Sequence, residues 1–165
     1  MERKWLNLTP HSVVILDNNG EVIKEFLPSG GTIRLAAKRG LLGHLDGVPI
    51  LREELGSPVL EGLPEEELEK AHYVIVSSVV ASSEEAVKWL LSKGIIGILV
   101  PTDFVRDKEG KIIGAKALKL EAGGISCPYC GHGIKKEAVE VEDEKTSFFC
   151  NNCGLSWTEI EVVCE

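Results

Sequence analysis

The sequence predicts an α/β fold of α+β character: a mixed sheet with hairpins and one right-handed βαβ unit, followed by an all-β ribbon. Three observations carry that prediction. Short β-branched runs flank Asn-Gly and Asp-Gly turns, an amphipathic helical segment lies between two continuous apolar runs, and two Cys-x-x-Cys pairs stand near the C-terminus.

The first hairpin is the clearest. "SVVIL" (12–16) and "EVIKEF" (21–26) flank Asp17-Asn18-Asn19-Gly20, where Asn and Gly tolerate the positive φ of a tight turn. "TIRLA" (32–36) and "VPIL" (48–51) read as strands, with Asp46-Gly47 as a turn signal, and "PEEELEKAH" (64–72) as a short helix with acidic residues in its first turn.

"YVIVS" (73–77) and "IIGILV" (95–100) are apolar without alternation, as strands covered on both faces are. Between them, Ser82 and Glu85 form a capping box, Ala86, Val87, Leu90 and Leu91 share one helical face, and Gly94 stops the helix. A strand–helix–strand unit makes the two strands parallel and the crossover right-handed. Both strands then end on one edge, where Ser77 and Ser78 leave one and Pro101, Thr102 and Asp103 leave the other. The helix beginning near Ser83 turns its free N–H groups to the same edge, which suits anions.

A further hairpin joins "DFV" to "KIIGAKAL" around Asp107-Lys108-Glu109-Gly110. Glu121-Ala122-Gly123-Gly124 then reads as a boundary, because paired glycines sit where a chain turns or hangs loose. It divides an α/β domain (1–122) from a cysteine module (125–165).

Cys127 and Cys130, then Cys150 and Cys153, form two tight knuckles separated by 19 residues, and Gly131 and Gly154 follow the second cysteine of each pair. "KKEAVEVEDEKTSFF" reads as two strands around an acidic turn and "LSWTEIEVV" as a third. This is the pattern of a zinc ribbon holding one structural Zn2+ ion. Four thiolates close the coordination shell, whereas catalytic zinc keeps a position open; His132 therefore has no vacancy to fill. No His-x-Glu precedes the pairs, so the deaminase arrangement is absent. An iron–sulfur cluster also takes four cysteines, but the ribbon spacing favours zinc. Phe148, Phe149 and Trp157 are expected to fill a small core, and Cys164 to act as a small apolar residue.

The chain has 165 residues, 44% of them hydrophobic, enough for one packed domain and a small appendage. No apolar run is long enough to cross a bilayer and no signal-peptide core follows Met1, so the expected compartment is the cytoplasm. The cysteine usage fits a reducing compartment. Glutamine is absent and only one methionine occurs among many Glu and Lys, the bias of a thermophile. Of the net charge of −8, residues 1–124 hold −3 and residues 125–165 hold −5. The acidic ribbon lacks the cations that phosphate binding requires, which argues against nucleic acid and for a protein partner docked there.

"NLTPHSVVILD" (7–17), "PSGGTIRLA" (28–36), "EGLPE" (61–65), "YVIVSSVVA" (73–81) and "VRDKEGKIIGAKAL" (105–118) together resemble an uncharacterised family of small bacterial and phage proteins with an N-terminal Asn-Leu-Thr-Pro-His segment. The resemblance spans most of residues 5–119 and implies no activity. It groups Thr9, Pro10 and His11 as one element, Pro28-Ser29-Gly30 as a second and Arg106 as a third. Each also has a plain explanation: a strand start, a turn, a hydrogen-bonded histidine, an ion pair with Asp107 or Asp103. The ribbon is an addition to the family pattern.

Three functions follow. In the first, the α/β domain binds a small anionic ligand, a nucleotide among the candidates, through Thr9, His11, Ser29, Ser77, Ser78, Thr102, Asp103 and Arg106, with the arginine as a planar fork, while the ribbon docks a partner. In the alternative, a nucleotide-processing hydrolase uses the same edge, with His11 as base, Asp103 orienting it or binding a metal, and Ser78 as nucleophile. The chain lacks both the Gly-x-Ser-x-Gly elbow and a phosphate loop, which favours binding over catalysis. The second alternative is a ligand-free protein–protein adaptor.

Overall fold

The structure is a computed structural model that describes residues 4–126, 130, 133–135, 139–142 and 145–158. It is mixed α+β and mostly strand, built on a nearly closed mixed sheet. Strands β1 (Trp5–Asn7), β2 (Val13–Leu16), β3 (Val22–Phe26), β6 (Tyr73–Ile75), β7 (Gly97–Arg106) and β8 (Ile112–Ser126) lie in the order β1-β6-β7-β8-β2-β3. Pro28, just past β3, bridges back to Asn7 in β1, so the six strands almost form a ring.

The strand–helix–strand unit is present. β6 and β7 pair in parallel, Tyr73 beside Gly97 and Ile75 beside Leu99. The connection holds two helices, α2 (Ser78–Ala81) and α3 (Glu84–Ser92). The predicted capping box of Ser82 and Glu85 does not form, because Ser82 ends α2 and donates its hydroxyl to the Ser78 carbonyl, 2.7 Å away. Ser83 instead caps α3, accepting from Ala86 N at 3.2 Å. The preceding helix α1 (Glu65–Glu69) begins after Pro64, as expected from its sequence.

Alternation along β6 shows why its run is apolar throughout. Val74 and Val76 join Leu68, Ala86, Leu90 and Ile98 in a core beneath the helices, whereas Ile75 points the other way to meet Val13, Ile15 and Ala115. The second cluster fills the concave side of the ring. Trp5 lines it, with ring centroids 4.8 Å from Tyr73 and 5.0 Å from Phe26.

The two short hairpins share one turn chemistry. Asp17 Oδ1 accepts from Asn19 N and Glu21 N at 2.8 and 2.9 Å. Asp107 Oδ1 accepts from Glu109 N and Lys111 N at 2.9 and 3.0 Å. The segments expected as strands 32–36 and 48–51 are far longer. β4 (Thr32–Leu45) and β5 (Val48–Glu61) form a two-stranded arm, turning at Asp46 and Gly47 with φ of +49° and +79°.

Gly123 and Gly124 do not hang loose. They lie inside β8, which carries on to pair with β9 (Gly133–Lys135), Gly124 beside Lys135. Gly123 has φ of +76°, and a Cβ there would collide with the Ile96 carbonyl oxygen. The glycine thus allows β8 to cross closely over the start of β7. Beyond it, β10 (Val139–Glu142), β11 (Lys145–Phe149) and β12 (Ser156–Thr158) pair as antiparallel strands.

Candidate sites at the ring end and in the cysteine module

Asn7 organises the ring end. It is the one polar side chain in the core among the described residues, 2% exposed. Its Nδ2 donates to the carbonyl oxygens of His11 and Phe26 at 2.8 and 2.9 Å. Its Oδ1 accepts from Thr9 N at 3.0 Å and lies 2.6 Å from Thr9 Oγ1. On the main chain, Asn7 N donates to Ser29 Oγ at 2.8 Å, and Ser29 N donates to Asn7 O at 3.0 Å. Leu8 N donates to Ile75 O at 2.9 Å. The loop after β1, the end of β3 and the end of β6 are thereby tied into one knot.

Thr9, His11, Ser29, Ser77 and Ser78 therefore gather at one end of the ring, but much of their hydrogen-bonding capacity is used internally. Thr9 Oγ1 lies 2.9 Å from the His11 carbonyl oxygen as well as beside Asn7. Ser77 Oγ caps α2, accepting from Val80 N at 3.4 Å. The His11 side chain is exposed, as is Ser78.

The common strand-end edge expected from the sequence differs in one respect. β6 ends at Ile75, but β7 runs on through Pro101, Thr102 and Asp103 to Arg106, because β8 pairs with it along that whole length, Thr102 beside Ala117 and Phe104 beside Ala115. A long antiparallel partner, invisible to the local strand–helix–strand pattern, keeps β7 in the sheet. Asp103 adopts φ of +56°, which Asp tolerates better than most residues. Arg106 lies at the hairpin tip, where Nη1 donates to the Gly110 carbonyl at 2.8 Å. The guanidinium fastens the turn, instead of pairing with Asp103 or Asp107.

A cavity of about 130 Å³ opens where β2 meets β8, with Ile15 beside Ala115 as the cross-strand pair. Val13, Phe104, Ile112 and Ile113 line it, so it is apolar.

In the cysteine module, the sulfurs of Cys130, Cys150 and Cys153 lie within 4.8 Å of one another and could hold a metal ion. The Sγ atoms of Cys130 and Cys150 are 3.6 Å apart. That is much longer than the ~2.05 Å of a disulfide and close to the roughly 3.8 Å edge of a tetrahedron with ~2.3 Å metal–sulfur bonds. The second knuckle is preorganised: Cys150 N donates to Leu155 O at 2.9 Å and Gly154 N to Cys150 O at 2.8 Å. Asn152 Nδ2 lies 3.5 Å from the Cys130 sulfur, as a donor to a thiolate would. Cys150 is fully buried, and Phe149, assigned from sequence to a small core, is half exposed. Cys127, His132 and Cys164 lie outside the described residues.

Among the described residues, the Glu67 carboxyl in α1 is clearly shifted. The hydrogen bond and charge of the Lys4 ammonium, 3.0 Å from Glu67, hold that carboxyl below the usual carboxylate range. No helix among the described residues is long and apolar enough to cross a membrane. No family model, curated protein or solved structure matches the chain.

Proposed function

We propose that the protein is a non-catalytic adaptor: a rigid strand ring carrying a zinc ribbon that docks onto another protein in the cytoplasm. The observation that carries this reading is the knot around Asn7. The Thr9 hydroxyl that an anionic ligand would need already bonds within the knot, Ser29 and Ser77 are held by main-chain N–H groups, and one N–H of Arg106 is held by the Gly110 carbonyl. A buried polar network that satisfies itself makes a scaffold.

The ribbon supplies the docking surface. Cys127 completes the set begun by Cys130, Cys150 and Cys153, giving one Zn2+ ion four thiolates and no open position, so the ion holds the module's shape. Residues 125–165 hold −5 of the chain's charge, which selects a partner with a basic face.

Small-ligand binding remains the second reading. It rests on His11, Ser78 and Asp103, which are exposed, and on the positive φ of Asp103. A thermal-shift panel of nucleotides and other small anions, run on the parent and on His11→Ala, separates the two. The adaptor reading expects no ligand-dependent shift in either. A stabilising anion whose effect disappears in His11→Ala overturns it, and turnover of that anion establishes the hydrolase.

A further inference from the structure

The β4–β5 arm presents a face that nothing among the described residues covers. The two strands pair only with each other there. At the base, Ile33, Leu35 and Leu60 pack into the core beneath the helices, and Ser57 Oγ donates to Glu85 of α3 at 2.8 Å. Strand alternation carries the same face outward. Cross-strand partners share a face, so Ala37, Arg39 and Leu41 lie beside Leu55, Glu53 and Leu51 in turn. Leu41, Leu51 and Leu55 are 59%, 57% and 50% exposed. A lone two-stranded ribbon is marginally stable in water, and exposed leucines on either side of the Arg39–Glu53 pair on one face mark an interaction surface.

We infer that this face is a two-fold interface between two copies of the chain, with the distal arms stacked face to face. Charge chooses the occupant. Arg34, Lys38, Arg39 and Arg52 balance Asp46, Glu53, Glu54 and Glu61, so residues 32–61 are neutral and the net charge of −8 lies wholly outside them. A basic partner is drawn to the rest of the molecule, whereas a balanced face suits its own copy. The charges on the stripe are also arranged for it: Arg39 Nε lies 3.2 Å from Glu53 Oε2, directly across the ladder. A two-fold axis places each surface against itself, so the arginine of one copy meets the glutamate of the other within an apolar surround.

Geometry favours face over edge. Register shifts at Leu35/Ala37 and Leu41/Gly43 interrupt the strand edges, and such bulges oppose edge-to-edge pairing. The unpacked stretch, residues 37–45 and 48–55, runs about 30 Å at the ~3.4 Å rise of a strand. Alternate residues of a strand share a face, so about half of this stretch from each copy meets at the interface, fewer than the roughly 20–30 residues of a standard one, which fits a weak dimer.

Sedimentation equilibrium of the full chain, with metal bound, tests this over about 1–100 μM. A dimer is expected. Leu41→Lys with Leu51→Lys weakens association by about 100-fold or more, because each charge is buried without a partner; far-UV circular dichroism stays unchanged, since both sites are exposed in one copy. Arg39→Glu and Glu53→Arg each form weak homodimers, and mixing the two variants restores a heterodimer. A parent that stays monomeric at 100 μM overturns the inference. So does a dimer that survives the double leucine change, or variants that fail to associate when mixed.

Discussion

Asn7 is 2% exposed, and its amide ties β1 to the loop that follows it and to the end of β3. Asn→Ala there leaves two carbonyl oxygens and a backbone N–H short of a partner in the interior. Unmet buried groups cost about 1–3 kcal/mol each, and part of that is relieved by relaxation. We expect Asn7→Ala to lower the unfolding free energy by about 3 kcal/mol in urea titrations, with Asn7→Asp at least as harmful, because a carboxylate replaces the donor that faces two carbonyls. A second expectation concerns acid. The Glu67 carboxyl titrates lower when folded than when unfolded, so its bond to Lys4 stabilises the fold above the unfolded value and that contribution is lost as pH falls through the folded one. Glu67→Gln should lower the melting temperature slightly at neutral pH and converge with the parent in acid, so that the acid limb of the profile flattens. A parallel loss at every pH would contradict this assignment. Of these residues, Thr9, His11 and Ser29 were singled out in the sequence only through the family resemblance. Asn7 opens the same Asn-Leu-Thr-Pro-His segment but receives no role from it, because a buried amide looks like any other asparagine until the chain folds around it.

At the level of elements, the strongest local signals held. Both Asp-x-x-Gly hairpins are present because an aspartate that accepts two backbone N–H groups is decided within five residues. The parallel pair β6 and β7 followed from apolar runs on either side of an amphipathic helix. Where two serines compete for one cap, sequence cannot choose, since each has an acidic residue near the required spacing. Tertiary packing gave Ser82 to the end of α2 and Ser83 to the start of α3. Ser83→Ala should therefore cost about 1 kcal/mol, measured by chemical denaturation, and Ser82→Ala markedly less. Equal losses would show that both hydroxyls cap α3. The arm escaped sequence reading because Lys38, Gly40 and Gly43 lie in β4 and Glu53, Glu54 and Gly56 in β5, residues depleted from strands. Long-range pairing, not local propensity, holds that ladder.

Over the whole molecule, covalent order and charge divide the labour. The ring closes on itself through Asn7 and Pro28, the arm leaves it neutral, and the C-terminal module gathers most of the negative charge in a quarter of the chain. Such a module is small for apolar burial alone, and in the function proposed above a metal held by its cysteines does that work. The account stands or falls on whether sulfur alone surrounds that metal. X-ray absorption at the zinc edge of the full-length protein measures this directly. Four sulfur neighbours at ~2.3 Å with no lighter atom in the inner shell are predicted. An oxygen or nitrogen neighbour at ~2.0 Å would reveal an open, reactive site and contradict the adaptor account.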